Sequence, residues 1–464
     1  MSNIVIEKFY GGWSLGSKSG PEGSCRFSQG LNYKSDPDYI TANKALVLNS
    51  ADAVIGMPKF ITSYNALIYF VDAGGVIYKV TSGSYSGVRT VSNCTGQGLA
   101  GYNDYLYYRQ NSQIGRMDWA TSTFTDNWTT SNVQTVVDWG VLLPFMNLLL
   151  VANGRYLGTW DDATWTYNKL TFPKGYFVRD IGVMGEYAVL AVNDNEDITQ
   201  AKRGFLFFWD GTSSTYNFFT EVLEGGGISS IQANQENVFV FAGSSGNIYK
   251  YNGATNKVKK IPYIGDGKTV YVYPGAETNY KGLCLFGLAG GTSTTAYRGV
   301  YSYGSPEIGY SDGLNFEYPI STGTVTGTGV SIGAMQTIGS DLYVGWKDGT
   351  SYGVDKLSTT TNQLSVTYES LVVTTNNPNA ITREKLFFKP LASEESITIQ
   401  IKKDQGTWET VGTASFASDG AITQKLFAYG FRCTDLEVKI TLAGTSTMPS
   451  VSKIILEYEE ETNL

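Results

Sequence analysis

Two kinds of hydrophobic pattern divide this chain. From about Met57 to Val373, short apolar runs come in pairs separated by turn residues. Asn65–Val80 reads NALIYFVDAGGVIYKV, an apolar run, a Gly-rich turn and a second run around Ile77-Tyr78-Lys79. Asn237–Tyr251, NVFVFAGSSGNIYKY, repeats the design around Ile248-Tyr249-Lys250. Looser runs at Phe60–Ser63 and Ile228–Ala233 precede these two pairs. Further pairs are Tyr105–Gln110 with Ile114–Trp119, Leu148–Asn153 with Arg155–Asp161, and Tyr187–Asn193 with Gly204–Asp210. Gly282–Leu288 with Arg298–Tyr303 and Asp341–Trp346 with Thr350–Asp355 bring the count to seven. First strands recur at roughly 38–58 residues, near the ~40–50 of propeller blades.

Turn chemistry completes each unit. Trp160-Asp161-Asp162, Trp209-Asp210-Gly211 and Tyr251-Asn252-Gly253 follow second strands of the pairs. Asp-Gly and Asn-Gly accept the positive φ of tight hairpins, so a short fourth strand is expected after each. The expected architecture is all-β: a β-propeller of about seven blades over residues 57–373, with residues 1–56 as an N-terminal arm or closing segment. The longer spacings place insertions at Asn193–Arg203 and Leu288–Ala296.

The second pattern begins after Thr374–Ala380 (TTNNPNA), which reads as a linker. Ile397-Thr398-Ile399-Gln400-Ile401-Lys402 and Leu436-Glu437-Val438-Lys439-Ile440-Thr441-Leu442 alternate with period two. Such strands bury one face, and a slip of one residue would expose every isoleucine. Lys385–Lys389, Trp408–Thr413, Ile422–Ala428 and Val451–Tyr458 are the other expected strands. Together they predict a C-terminal β-sandwich over 381–464.

Composition sharpens the picture. Of 464 residues, 42% are apolar and only 16% charged, while Tyr (32), Phe (22) and Gly (53) are abundant. That mixture suits pleated surfaces and tight turns. The net charge of −8 argues against a general nucleic-acid binder, which needs a basic footprint. The chain has no histidine, which removes Ser-His-Asp and Cys-His catalysis and histidine metal ligands, and leaves carboxylate or tyrosine chemistry. Cys25, Cys94, Cys284 and Cys433 lie too far apart for a CxxC site and read as buried thiols. The start, MSNIVIEKFYGG, lacks a signal-peptide pattern, and the longest apolar stretch, Val141–Ala152, is too short for a membrane span. Folding in a cytoplasm is the expectation.

Candidate chemistry is sparse. Asn193-Asp194-Asn195-Glu196-Asp197 offers oxygen ligands without the glycine and distal glutamate of a calcium loop. Ser311-Asp312-Gly313-Leu314-Asn315-Phe316 departs from the Asp-box of sialidase-like propellers and reads as a turn. Gly225-Gly226-Gly227 precedes a strand, so it aims no helix terminus at a phosphate. Trp119, Trp128, Trp139, Trp160, Trp165 and Trp209 are expected to pack between blades. No catalytic, cofactor-binding or metal-binding residue is assigned and no cofactor is expected; the chain reads as a non-enzyme.

The opening segment adds a resemblance. Lys8-Phe9-Tyr10-Gly11-Gly12 and Gly20–Asn32 (GPEGSCRFSQGLN) lead into Ser35-Asp36-Pro37-Asp38-Tyr39-Ile40. This resembles the entry segment of propeller proteins encoded among bacteriophage virion genes, as do the blade pattern and the C-terminal strands. The resemblance implies a structural component of a bacteriophage tail, in a nozzle ring or at the tail tip, assembled in the host cytoplasm and resident in the virion. Implied partners are other tail proteins and copies of itself in a homo-oligomer, with DNA passing without specific binding. Phe9, Tyr10, Trp13 and Phe27 are its candidate interface residues. The alternatives are a carbohydrate-binding receptor protein, with exposed Trp and Tyr clustered in one pocket around a host surface glycan, and a propeller glycosidase, with paired carboxylates in a cleft.

Overall fold

The computed structural model describes residues 2–460, apart from residues 15, 17, 37, 50–53, 82–83, 130, 137, 224–225, 262–263, 265–268 and 306–309. The chain forms two compact bodies. One comprises Val47–Val300 with Ile320–Leu357; the other joins Met1–Leu46, Tyr301–Pro319 and Ser358–Leu464.

The first body is a β-propeller. Five of its blades are four-stranded antiparallel sheets built from consecutive strands. The first runs Pro58–Tyr64, Leu67–Asp72, Val76–Thr81 and Ser84–Thr90. The next four begin at Gly98–Tyr102, Leu142–Phe145, Phe177–Met184 and Ile228–Ala233. The sixth contributes Glu277–Tyr280 and Leu283–Gly287. The seventh contributes Val330–Ile338, Asp341–Asp348 and Ser351–Asn362.

The seven first strands pack each on the next, and Val330–Ile338 packs back on Pro58–Tyr64, so the ring closes. The close approach at that seam requires a glycine. A Cβ on Gly333 would sit 2.1 Å from the Pro58 carbonyl oxygen, deep inside van der Waals contact. The outer place in the seventh blade is taken by Lys44–Leu48, beside Ser351–Asn362. Asn49 N–H then donates to the Val354 carbonyl at 3.0 Å.

Second strands are the most buried. Leu149–Asn153 and Ala188–Asn193 are covered throughout, as expected for strands sandwiched between neighbouring blades. Three tryptophans pack where blades meet: Trp128 of blade two lies edge-on to Trp160 of blade three at 4.8 Å, and Trp119 to Tyr64 of blade one at 6.1 Å. Buried polar groups brace turns. The Asp72 carboxylate, fully buried, accepts from the N–H groups of Gly74 and Val76 at 3.0 and 2.9 Å.

The second body differs from the expected division into 1–56, a linker and 381–464. The N-terminal segment does not stand apart as an arm. Ser2–Ile6 pairs with Val451–Glu460, with Val5 opposite Ile455, and Ser24–Gln29 pairs with Ser365–Ser370, with Ser28 opposite Tyr368. Thr374–Ala380 falls inside one strand, Val373–Phe388, whose pairing with Gln424–Ala443 jumps between Thr374 and Asn379. The side chains of residues 375–380 lie outside the described residues. Gln424–Ala443 is long enough to serve two groups of strands. Its first part pairs with Val373–Phe388 and its last part with both Ser365–Ser370 and Ser396–Lys403. The expected period-two faces appear there, with Ile397, Ile399, Ile401, Val438, Ile440 and Leu442 buried.

All four cysteines are buried thiols. Among the described residues, no helix is long and apolar enough to cross a membrane.

Candidate functional sites

The axis of the propeller carries its densest set of buried charges. Trp139, just before the third blade, lies 5.7 Å from Phe60 of blade one and 5.0 Å from Tyr273, which leads into blade six. Arg179 of blade four sits 5.4 Å and Lys59 of blade one 4.5 Å from its ring. One side chain can touch blades one, four and six of a seven-membered ring only near its axis. The ammonium and guanidinium groups over the indole are cation–π contacts, strong where water is excluded. Burial pushes Lys59 down to about 8 and Arg179 down to about 10.

Beside them, on the first strands of blades four, five and six, Asp180, Ser230 and Glu277 form a chain. Ser230 Oγ lies 3.0 Å from Asp180 Oδ2 and 2.8 Å from Glu277 Oε2. One hydroxyl has one proton to give. With Glu277 protonated, Glu277 donates to Ser230 and Ser230 donates to Asp180, and every contact is satisfied. Burial raises Glu277 well above the usual carboxylate range, with the Asp180 charge the next cause; burial likewise raises Asp180 to about 6.

Two coupled carboxyls are also what a glycosidase uses. This pair is built for a different purpose. Asp180 is almost wholly buried and already accepts from the N–H groups of Ile181 and Ile231 at 2.9 and 2.8 Å, besides Ser230. A carboxylate held by three donors from its own fold is a brace between blades. The neighbouring cavity, lined by Asp138, Trp139 and Arg179, measures about 10 Å³ and can hold one water.

The outer edge of blade four presents a second feature. Phe218–Glu221 is the outermost strand of that sheet. Phe219 stacks on Phe207 at 5.3 Å and Phe218 on Phe208 at 4.4 Å, each directly across the strand pair. Tyr216 closes on Phe207 at 4.7 Å. Even so, Phe219 is 54% exposed and the nearby Leu223 68%. Stacked aromatics on a sheet edge are rigid, apolar and uncovered.

The sequence-derived candidates fare unevenly. Phe9, Trp13 and Phe27 are 3%, 0% and 5% exposed and cannot be an interface. They form the core of the second body: Phe9 meets Tyr368 edge-on at 5.1 Å, and Trp13 packs on Phe27 and Tyr301. Trp13 Nε1 donates to the Ser28 carbonyl at 3.0 Å and to its Oγ at 2.8 Å. Their aromaticity signalled burial, which a sequence segment rich in Gly and Ser concealed. Tyr10 alone is partly exposed, against Tyr310.

The Asn193–Asp197 loop spends its oxygens on its own backbone. Asp197 Oδ1 accepts from Thr199 N–H and Oγ1, both at 2.8 Å, and Asp194 Oδ1 from Lys202 N–H at 2.9 Å. No group of acidic or cysteine side chains suited to a metal ion occurs among the described residues. Ser311 and Asp312 lead into the strand Gly313–Tyr318, and Gly225 lies outside the described residues.

No family model matches the chain, and no curated protein matches it. Its propeller has likenesses among solved structures. YCF48 from Cyanidioschyzon merolae is 10% identical, with a TM-score of 0.45, covering 67% of this chain and 98% of that one. The Pan2 WD40 domain of Neurospora crassa is 8% identical, with a TM-score of 0.43, covering 68% and 95%. An extracellular domain assigned to a one-component system of B. thetaiotaomicron is 11% identical, with a TM-score of 0.48 over 75% of this chain. The chain spans only 43% of that last protein. None of these comes from a bacteriophage, and likenesses so remote say nothing of function. The chain is a seven-bladed β-propeller protein by its own sheets.

Proposed function

We propose that this chain is a non-enzymatic structural component of a bacteriophage tail, in a nozzle or tail-tip ring, docking on copies of itself and on neighbouring tail proteins. The observation that carries the docking role is the aromatic edge of blade four. An uncovered edge strand invites pairing, and natural proteins blunt such edges unless a partner covers them. Here Phe218, Phe219 and Leu223 do the opposite. The tail assignment rests on the resemblance of the opening segment and the blade pattern. DNA would pass beside the propeller, at the middle of a ring of copies, because Trp139 and Tyr273 occupy the propeller's own axis. The net charge of −8 would discourage DNA from adhering there.

Purified virions from a phage encoding the chain supply the test. The expected result is the protein in the particle by mass spectrometry, with density for a ring of propellers at the tail. Leu223→Asp, at a 68% exposed position outside the aromatic stack, should leave melting of the isolated protein nearly unchanged, within about 0.5 kcal/mol for a surface change, while abolishing incorporation. A chain that is monomeric and absent from the particles would overturn the reading.

A further inference from the structure

The second body contains an open groove of about 600 Å³ lined by Tyr10, Tyr310, Phe387, Lys453, Glu7 and Asp38 among others. That volume falls within the about 300–1,000 Å³ of small-molecule sites. Tyr10 and Tyr310 meet edge to face, ring centroids 4.3 Å apart. In that arrangement the edge of one ring meets one face of the other, and both residues remain partly exposed. Phe387 and Lys453 stand directly opposite on paired strands, and Lys453 Nζ holds Glu7 Oε2 at 2.7 Å. The lining therefore combines aromatic rings with two carboxylates, Glu7 and Asp38, and two ammonium groups, Lys8 and Lys453.

We infer that this groove binds a neutral oligosaccharide. A sugar ring has an apolar C–H face, which lies well on a tyrosine or phenylalanine, and a rim of hydroxyls that both donate and accept. Glu7 and Asp38 can accept from those hydroxyls, and Lys453 can donate to them. Acidic and basic groups are mixed here, so nothing in the groove selects a phosphate or a polyanion. An extended peptide fits less well. Such segments add to a free strand edge, whereas Val451–Glu460 is paired along one side with Val373–Phe388 and on the other with Ser2–Ile6 from Ile454 onward, Val451 being bridged to Ile40, so that only Ser452 and Lys453 are left for a peptide strand. The site is independent of the tail assignment and of the blade-four edge.

The test is an array of neutral oligosaccharides of two to six units probed with the full chain, followed by calorimetric titration of the strongest binder. Tyr310→Ala is expected to weaken that binder by about tenfold or more, and Asp38→Asn by several-fold. Both variants should melt as the wild type does, and Leu364→Ala, an exposed change outside the groove, should bind normally. Should Tyr310→Ala disturb folding, Asp38→Asn alone decides the outcome. An array without any bound sugar would overturn the inference. So would affinity unchanged in Asp38→Asn.

Discussion

The propeller and the second body solve the same problem, burying alternating strands, by opposite routes. Five blades of the propeller pair strands that follow one another within some fifty residues, as the register shows in Leu106 opposite Met117 and Leu150 opposite Thr159. The second body pairs residues from opposite ends of the chain, Val5 with Ile455 and Cys25 with Ser370. Local pairing closes short loops and forms fast; distant pairing needs most of the chain present. The difference teaches that the N-terminal segment is structural material for the C-terminal strands, and that each body should respond to its own mutations.

The sharpest way to break that comparison is Trp13→Ala. Removing a fully buried indole with two hydrogen bonds should cost about 3–5 kcal/mol. Hydrogen exchange read by mass spectrometry should show protection lost in Ser24–Gln29 and Ser365–Ser370 while second strands of the blades stay protected. Equal loss in both bodies would show that they fold as one unit. Gly333→Ala is the reciprocal probe. Its Cβ would drive the seam of the ring apart for about 1–3 kcal/mol, and the loss should appear in Pro58–Tyr64 and Val330–Ile338.

The smallest effect sharpens the axial chemistry. A carboxyl held above its usual range binds its proton more tightly folded than unfolded. The stability this lends is present at low pH and fades as pH rises, for Asp180 from its ordinary 3.8 through about 6. Glu277 extends the loss to higher pH. Glu277→Gln removes the second negative charge, keeps a donor for Ser230, and should gain about 1 kcal/mol at pH 8 with little change at pH 4. Melting temperatures of wild type and variant at the two pH values would check the sign; a variant less stable at pH 8 would refute the shared-proton chain.

Much of the propeller was legible because its signals are local. Six paired runs correspond to the second and third strands of their blades, the remaining pair to Leu283–Gly287 and its neighbour Val300–Gly304, and Asp-Gly and Asn-Gly mark the hairpins between the third and fourth strands of blades four and five. The second body was legible only where strands are long and alternate, as in Ile397–Lys402. Gly12–Trp13 is two residues long and pairs with Ser24–Gln29, while the rings that bury Trp13 include Tyr301 from far along the chain, so no window of sequence could show that Trp13 is core. TTNNPNA carries turn-forming residues, yet the strand continues through it because Asn379 and Ala380 are paired on both sides. The axial pair was invisible for the same reason: Asp180 and Glu277 come together only when the ring brings blades four, five and six side by side.

The clasp of the seventh blade has a consequence for synthesis. Leu48 leaves the ribosome roughly 300 residues before Gly353, beside which it finally rests. At about 5–20 residues per second, roughly 15–60 s separate the two. Throughout that interval six blades can assemble in an open arc, with the first blade's inner strand awaiting a neighbour. An edge left open over that interval is a template for mispairing, and a chaperone that recognises exposed strand edges would find its target in that window and lose it once the ring shuts.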